Sequence, residues 1–213
     1  MSLPQNLPDW IAEHLDPLGD HAVAGGQRKS DFDLSPSGWS GVTLDKLTPA
    51  AVLIGLVQRE AGPTVLLTRR SDTLRKHTGQ VALPGGRVDP GEKPWETALR
   101  EAHEEVGLEP HFVDLLGLST PYQTGTGYLI TPVVGVVRTG FDLRANPDEV
   151  ADIFETPFSF LMDLANYEEH ERTLPTGETR RFYATTHEDR YIWGATAGIL
   201  RALYERLYGA ALA

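Results

Sequence analysis

The chain has 213 residues, 40% hydrophobic and 23% charged, with a net charge of −11 and no cysteine. This suits one domain with additions around a buried core. It excludes disulfides, thiolate zinc sites and a cysteine nucleophile, and it disfavours non-specific binding to nucleic acid.

In chain order, Trp10, Ile11, Leu15 and Leu18 predict a short amphipathic helix near residues 8–18. The Gly/Ser/Asp/Pro-rich stretch Gly25 to Ser40 reads as irregular. Ala50–Val57 and Thr64–Thr68 read as strands joined by an Ala61-Gly62-Pro63 turn. Residues 69–92, rich in Arg, Gly and Pro, read mostly as loop. Pro94–Val106 reads as a helix, with Pro in its first turn and Gly107 past its end. Strands are expected at Phe112–Leu118 and Tyr128–Val137, and a short helix at Pro157–Leu164. A hairpin is expected over Thr173–Tyr183, around Pro175-Thr176-Gly177, and a last helix over Ala195–Tyr208. Strands interspersed with helices predict a mixed sheet covered by helices on both faces. No apolar run reaches the length of a membrane span. Met1-Ser2-Leu3-Pro4 does not resemble a signal peptide, nor Ala211-Leu212-Ala213 a peroxisomal address. The expected location is therefore the cytoplasm, with no nucleic acid or membrane as partner.

The densest chemistry lies in Gly85–Leu108. At helical spacing, Trp95, Ala98, Leu99, Ala102 and Val106 form one stripe, which should face the core. Glu101, Glu104 and Glu105 fall together on a neighbouring face, three and four residues apart. An acidic run is usually a solvated surface. These carboxylates, however, repel one another, and Glu104 and Glu105 sit at the negative end of the helix dipole. A hard divalent cation would remove that repulsion, and such ions also bind pyrophosphate oxygens and activate water. Gly85-Gly86 would let the backbone approach a ligand, and Arg100 is spaced to orient Glu104.

Gly86, five residues, Glu92, seven residues and Arg100-Glu101-Ala102-His103-Glu104-Glu105-Val106-Gly107-Leu108 resembles the Nudix box. Every defined position is filled, although Ala102 stands where a larger aliphatic residue is common. The resemblance implies an α/β class, a Nudix-type α/β/α sandwich with a mixed β-sheet. It also implies hydrolysis of a nucleoside diphosphate linked to another moiety. The carried-over metal ligands are Glu101, Glu104 and Glu105, holding Mg2+ or Mn2+, with Glu92 and Arg100 in support. On this reading residues 1–46 are a partly helical leader and residues 47–213 the Nudix hydrolase domain.

The segment Leu66-Leu67-Thr68-Arg69-Arg70-Ser71, then Arg75, Gly79 and Leu83-Pro84-Gly85-Gly86, is similar to the motif of the coenzyme A pyrophosphatase subfamily. Leu83 departs from it, standing where that motif usually has Phe. Downstream segments at Gly127–Gly135, Asn146–Val150 and Ile192–Thr196 are also similar. The resemblance covers about residues 47–208. Between Leu66 and Arg87, Arg69, Arg70, Arg75, Lys76 and Arg87 face a single acid, Asp72. Arginine forks suit phosphate oxygens, and coenzyme A carries a 3′-phosphate beyond its pyrophosphate. Arg69, Arg70, Arg75, His77, Gly85 and Gly86 are accordingly the candidate substrate-binding residues. Glu104 or Glu149 is the candidate general base, with Glu101 and Arg100 completing the catalytic set.

The expected reaction splits coenzyme A, and acyl forms similarly, into 3′,5′-ADP and 4′-phosphopantetheine. The alternatives are hydrolysis of ADP-ribose, dinucleotides or nucleotide sugars, clearance of damaged nucleoside triphosphates, and a non-catalytic Nudix-fold binding module. The expected partner is a small nucleotide substrate, and a homodimer stays open.

Overall fold

A computed structural model describes residues 4, 6–19, 28–34, 44–71, 79–173, 177 and 179–209. The elements in order are α1 (Leu7–Glu13), β1 (Lys29–Ser30), β2 (Thr48–Val57), β3 (Thr64–Arg70), β4 (Val81–Ala82), β5 (Gly85–Arg87) and α2 (Pro94–Val106). They continue with β6 (Val113–Leu118), β7 (Tyr122–Gln123), β8 (Tyr128–Val137), β9 (Val150–Pro157) and α3 (Phe158–Leu161). The last are β10 (Tyr167–Thr173), β11 (Thr179–His187), β12 (Arg190–Trp193) and α4 (Ala195–Tyr208).

The apolar run around Ala50–Val57 is the central strand β2. It pairs in parallel with β8 from Thr48↔Tyr128 to Val57↔Val137. It pairs antiparallel with β3 at one end and β5 at the other. The nine-stranded sheet runs β1-β7-β8-β2-β3-β4, with β6 added to β8 and β9 to β3. A strand covered on both faces is apolar on both, which is why β2 and β8 are mostly apolar along their length.

Alternation along the strands separates two hydrophobic clusters. Ala51, Leu53 and Val57 of β2, Leu66 of β3 and Val133 and Val137 of β8 pack with Ala98, Ala102 and Val106 of α2. Ile54, Leu56, Val65, Leu67 and Val134 point the other way, to Ile199, Leu200 and Leu203 of α4 and Phe158 and Leu161 of α3. The result is the expected α/β/α sandwich with a mixed sheet. A second, three-stranded sheet, β10-β11-β12, lies on the α4 side, where Ile192 and Tyr183 join that cluster.

The structure differs from the sequence expectations at several elements. Residues 81–82 and 85–87 form short strands within the expected loop. Strand β9, which pairs with β3 from Thr64↔Pro157 to Arg70↔Val150, has no counterpart among the expected elements. The hairpin is longer than Thr173–Tyr183, because Tyr167↔Thr185 already pair. Helix α1 ends at Glu13, and His14 closes it with its ring on the Trp10 carbonyl, 2.8 Å away.

The described parts of residues 1–46 pack into the same core. Leu7, Ile11 and Leu15 belong to the α4-side cluster, and Asp16 bridges to Leu118 of β6. Arg206 of α4 anchors this segment through a two-pronged ion pair to Asp16, 2.6 and 3.1 Å. Ile11 is fully buried. Ile11→Ala is therefore expected to destabilise the protein by about 2–5 kcal/mol in chemical denaturation. A change within about 0.5 kcal/mol, the range of surface substitutions, would contradict this packing.

Candidate active site

Helix α2 carries the acidic side chains, and its two ends fix where they point. At the start, the Glu96 carboxylate accepts from the Lys93 backbone N–H at 2.8 Å, and Pro94 occupies the first turn, where its missing N–H costs nothing. At the end, Gly107 adopts φ 71°, and Gly107 and Leu108 donate to the carbonyls of His103 and Ala102. The Gly107 bond to His103 is an αL closure, which the left-handed conformation of Gly107 makes available.

Glu105 is the unexpected residue. It lies seven residues after Ala98, two turns on, so it falls within about 20° of the core stripe rather than on a solvated face. Only 4% of it is exposed. The Gly85 backbone N–H donates to its Oε2 at 3.3 Å. Burial, then the neighbouring Glu101 charge, pushes its carboxyl up to about 8. Arg70 and the Gly85 bond oppose this shift, and Glu149 adds to it. Glu101 is raised as well, first by burial, against the pull of Arg100 and with repulsion from Glu104 and Glu149.

The glycine pair explains how these carboxylates come so close to the sheet. β5 lies antiparallel to β2, with Ala51↔Gly86 and Val52↔Gly85. A Cβ on Gly85 would meet the β2 backbone, with Val52 Cα at 2.7 Å. A Cβ on Gly86 would occupy the space of the Glu101 carboxylate. Gly85 thus requires glycine for close approach, and Gly86 leaves open the space that the Glu101 carboxylate fills.

Arg100 organises the outer side of the site. Its Nε and Nη2 grip the two Glu92 oxygens at 2.8 and 3.1 Å. Nη1 reaches Glu101 at 2.9 Å and Glu104 at 3.0 Å, and Nη2 also donates to the Arg87 carbonyl at 3.1 Å. Thr97 and the Asp89 N–H complete the shell of Glu92 at 2.6 and 3.2 Å. Chiefly through Arg100, Glu92 is lowered to about 2.

Glu149 arrives from a different part of the chain. The N–H groups of Arg144 and Asn146 donate to the Val106 and Glu105 carbonyls, each at 2.9 Å. Those carbonyls would otherwise be orphaned at the helix end. Asn146 then accepts from the N–H groups of Glu149 and Val150, and the Glu149 carbonyl accepts from Ser71 N–H at 2.8 Å. The turn holds Glu149 close enough to raise both Glu101 and Glu105.

The structure thus brings together Glu101, Glu105, Glu149, Arg70, Gly85 and Gly86. Glu104 stands at the rim, its side chain 52% exposed and tied to Arg100. Arg69 shares the Leu67 face of β3, away from α2, and is in register with Asp152 of β9. Arg75 and His77 lie outside the described residues. The roles of Thr97, Asp89 and Asn146 were not visible in the sequence. The hints at Asn146 were the turn-forming pattern Asn146-Pro147-Asp148 and the subfamily-like segment Asn146–Val150 that contains it.

Among the described residues, no three Asp, Glu or His side chains converge as a metal-ligating group. Arg100 holds the Glu101 and Glu104 carboxylates to itself. The donor chemistry nevertheless fits a hard divalent cation, since several carboxylates, two of them raised by burial and mutual repulsion, face few cations.

The site is thus a mixed sheet between helices, with a glycine strand pressed against a carboxylate-bearing helix. Residues 46–177 match the model of the NUDIX domain. The chain is 42% identical to the protein named "Uncharacterized Nudix hydrolase NudL" of Citrobacter koseri, over 82% of this chain and 90% of that protein. It is 44% identical to the protein of the same name in Photorhabdus laumondii, over 74% of this chain and 84% of that one. Among solved structures it is similar to the MutT protein from Methanosarcina mazei Go1, at 22% identity and a TM-score of 0.48, over 79% of this chain and 99% of that one. The chain belongs to the Nudix hydrolase family, whose members generally use divalent metal ions and bind small nucleotide-derived substrates.

Glu92→Gln removes one charge from the Arg100 grip and should destabilise the protein by on the order of 1–3 kcal/mol at neutral pH. Because folding lowers the Glu92 pKa from 4.5 to about 2, its contribution is present above about 4.5 and fades as pH falls towards 2. Denaturation of both proteins between pH 7 and 2 should show the gap closing in that window. A gap that stays constant to pH 2 would contradict the account.

Proposed function

We propose that the chain is a divalent-metal-dependent pyrophosphohydrolase that cleaves coenzyme A and its acyl derivatives to 3′,5′-ADP and 4′-phosphopantetheine. The observation that carries this reading is the continuity of two sequence patterns at one place. The Arg-rich segment ends its strand at Arg70, beside buried Glu105, and resumes at Gly85-Gly86, directly under Glu101.

Glu101, Glu104 and Glu105 would hold Mg2+ or Mn2+. When bound, such an ion neutralises pyrophosphate oxygens and lowers the pKa of water. Arg70 has a buried Nε with no hydrogen-bond partner among the described residues, so its guanidinium retains capacity for a phosphate oxygen. Glu149 is the better-placed general base. It acts on buried Glu105 and half-buried Glu101, whereas Glu104 acts on Glu101 and is engaged by Arg100. Glu149 takes a proton from the attacking water. The water oxygen bonds to one phosphorus, and the bridging P–O bond breaks.

The test is a product assay with Mg2+ or Mn2+ on coenzyme A, ADP-ribose and NADH at equal concentration. Release of 3′,5′-ADP from coenzyme A, well above turnover of the other two, is the expected result. Faster turnover of ADP-ribose or NADH would overturn the substrate assignment, and ligand binding without any turnover would overturn the catalytic one. Glu149→Gln should lower kcat by roughly 100-fold or more, in the range general-base removal produces, and Glu104→Gln by less. The reverse order would move the base to Glu104.

A further inference from the structure

Arg87 is the last residue of β5, one position beyond Gly86, yet it serves a different face of the sheet. Gly86 is in register with Ala51, whose side chain packs in the α2-side cluster. Arg87 is in register with Ala50, which alternation places on the other face. Ala50 also pairs with Ile130 of β8, and Ile130 packs against the α4-side cluster. The Arg87 side chain therefore leaves the sheet opposite Glu101, Glu105 and Arg70.

There it meets Tyr128, the first residue of β8, with the guanidinium 5.9 Å from the ring centroid. Arg87 is exposed, and among the described residues its guanidinium has no carboxylate partner. In a chain of net charge −11 that is informative. Arg59, Arg100, Arg138, Arg190 and Arg206 are all paired with acids. A ring beneath a guanidinium restrains its plane and leaves the donor edge available for a planar or tetrahedral anion.

Arg87 and Arg70 leave the sheet on opposite faces, so they are set to meet different groups of one substrate. We propose that Arg87, steadied by Tyr128, binds a phosphate monoester of the substrate that is separate from the scissile pyrophosphate. Resting on the coenzyme A reading above, this assigns the 3′-phosphate to Arg87 and the pyrophosphate to the Arg70 side. A nucleoside diphosphate ester lacking a second phosphate would leave Arg87 unused, so the subsite is a specificity determinant.

The experiment compares wild type, Arg87→Ala and Arg87→Lys on coenzyme A and 3′-dephospho-coenzyme A, with KM and kcat separated. The expected result for Arg87→Ala is a rise in KM for coenzyme A of about tenfold or more, the size of one charge-assisted bond, with kcat nearly unchanged. KM for 3′-dephospho-coenzyme A should stay within about twofold, and Arg87→Lys should recover only part of the loss. Equal loss for both substrates, or no loss for either, overturns the proposal. If wild type turns over neither substrate, the coenzyme A reading fails, and the subsite is read by calorimetry with 3′,5′-ADP and 5′-AMP. Tighter binding of 3′,5′-ADP that vanishes in Arg87→Ala supports the subsite, and equal binding of both nucleotides by wild type overturns it.

Discussion

The Glu105 carboxylate, buried against the Gly85 backbone with Glu101 and Glu149 nearby, is the constraint around which the rest is arranged. A charge in that position is costly, and repulsion from like charges adds to the cost. Three features offset it. The Gly85 N–H donates to it, Arg70 approaches from the end of β3, and Arg100 neutralises part of the neighbouring charge on Glu101. What remains is a set of carboxylates that resist ionising together in a confined place, the electrostatic condition that a divalent cation relieves. An apolar residue at position 105 would suit the core stripe better, so Glu105 is the local departure that the proposed cation site accounts for.

The fold supplies the precision this requires. β2 is pinned by partners on both edges and covered on both faces, so it cannot slip by a residue without exposing its apolar side chains. β5 takes its register from β2, and Gly86 in that register sets the depth of Glu101. The helix end is closed by the Arg144–Asn146 backbone, which delivers Glu149. Residues far apart in the chain thus reach the same site through backbone hydrogen bonds, leaving the side chains to do chemistry.

The regular parts of this design are legible in the sequence. Pro94–Val106, Tyr128–Val137 and Ala195–Tyr208 carry their own period and their own stop signals, and the helix and strand bounds agree with the structure. The Nudix signature marks the carboxylates because its spacing is local. The illegible parts depend on long-range partners. Val150–Pro157 mixes acids with apolar residues and becomes a strand only because β3 lies beside it. Gly85–Arg87 has loop composition, and it becomes a strand through its pairing with β2. Spacings of three and four group Glu105 with Glu101 and Glu104 on one face, although its angle from Ala98 sets it inward. The separation of Arg70 from Arg87 across the sheet needs register, which spacing alone does not supply.

The central claim is that the buried carboxylates form a divalent-cation site. Manganese binding by paramagnetic resonance, on wild type and Glu105→Gln with circular dichroism to confirm folding, tests it most directly. The account predicts saturable binding by wild type and a large loss of affinity in the folded variant. Unchanged binding by folded Glu105→Gln would contradict it.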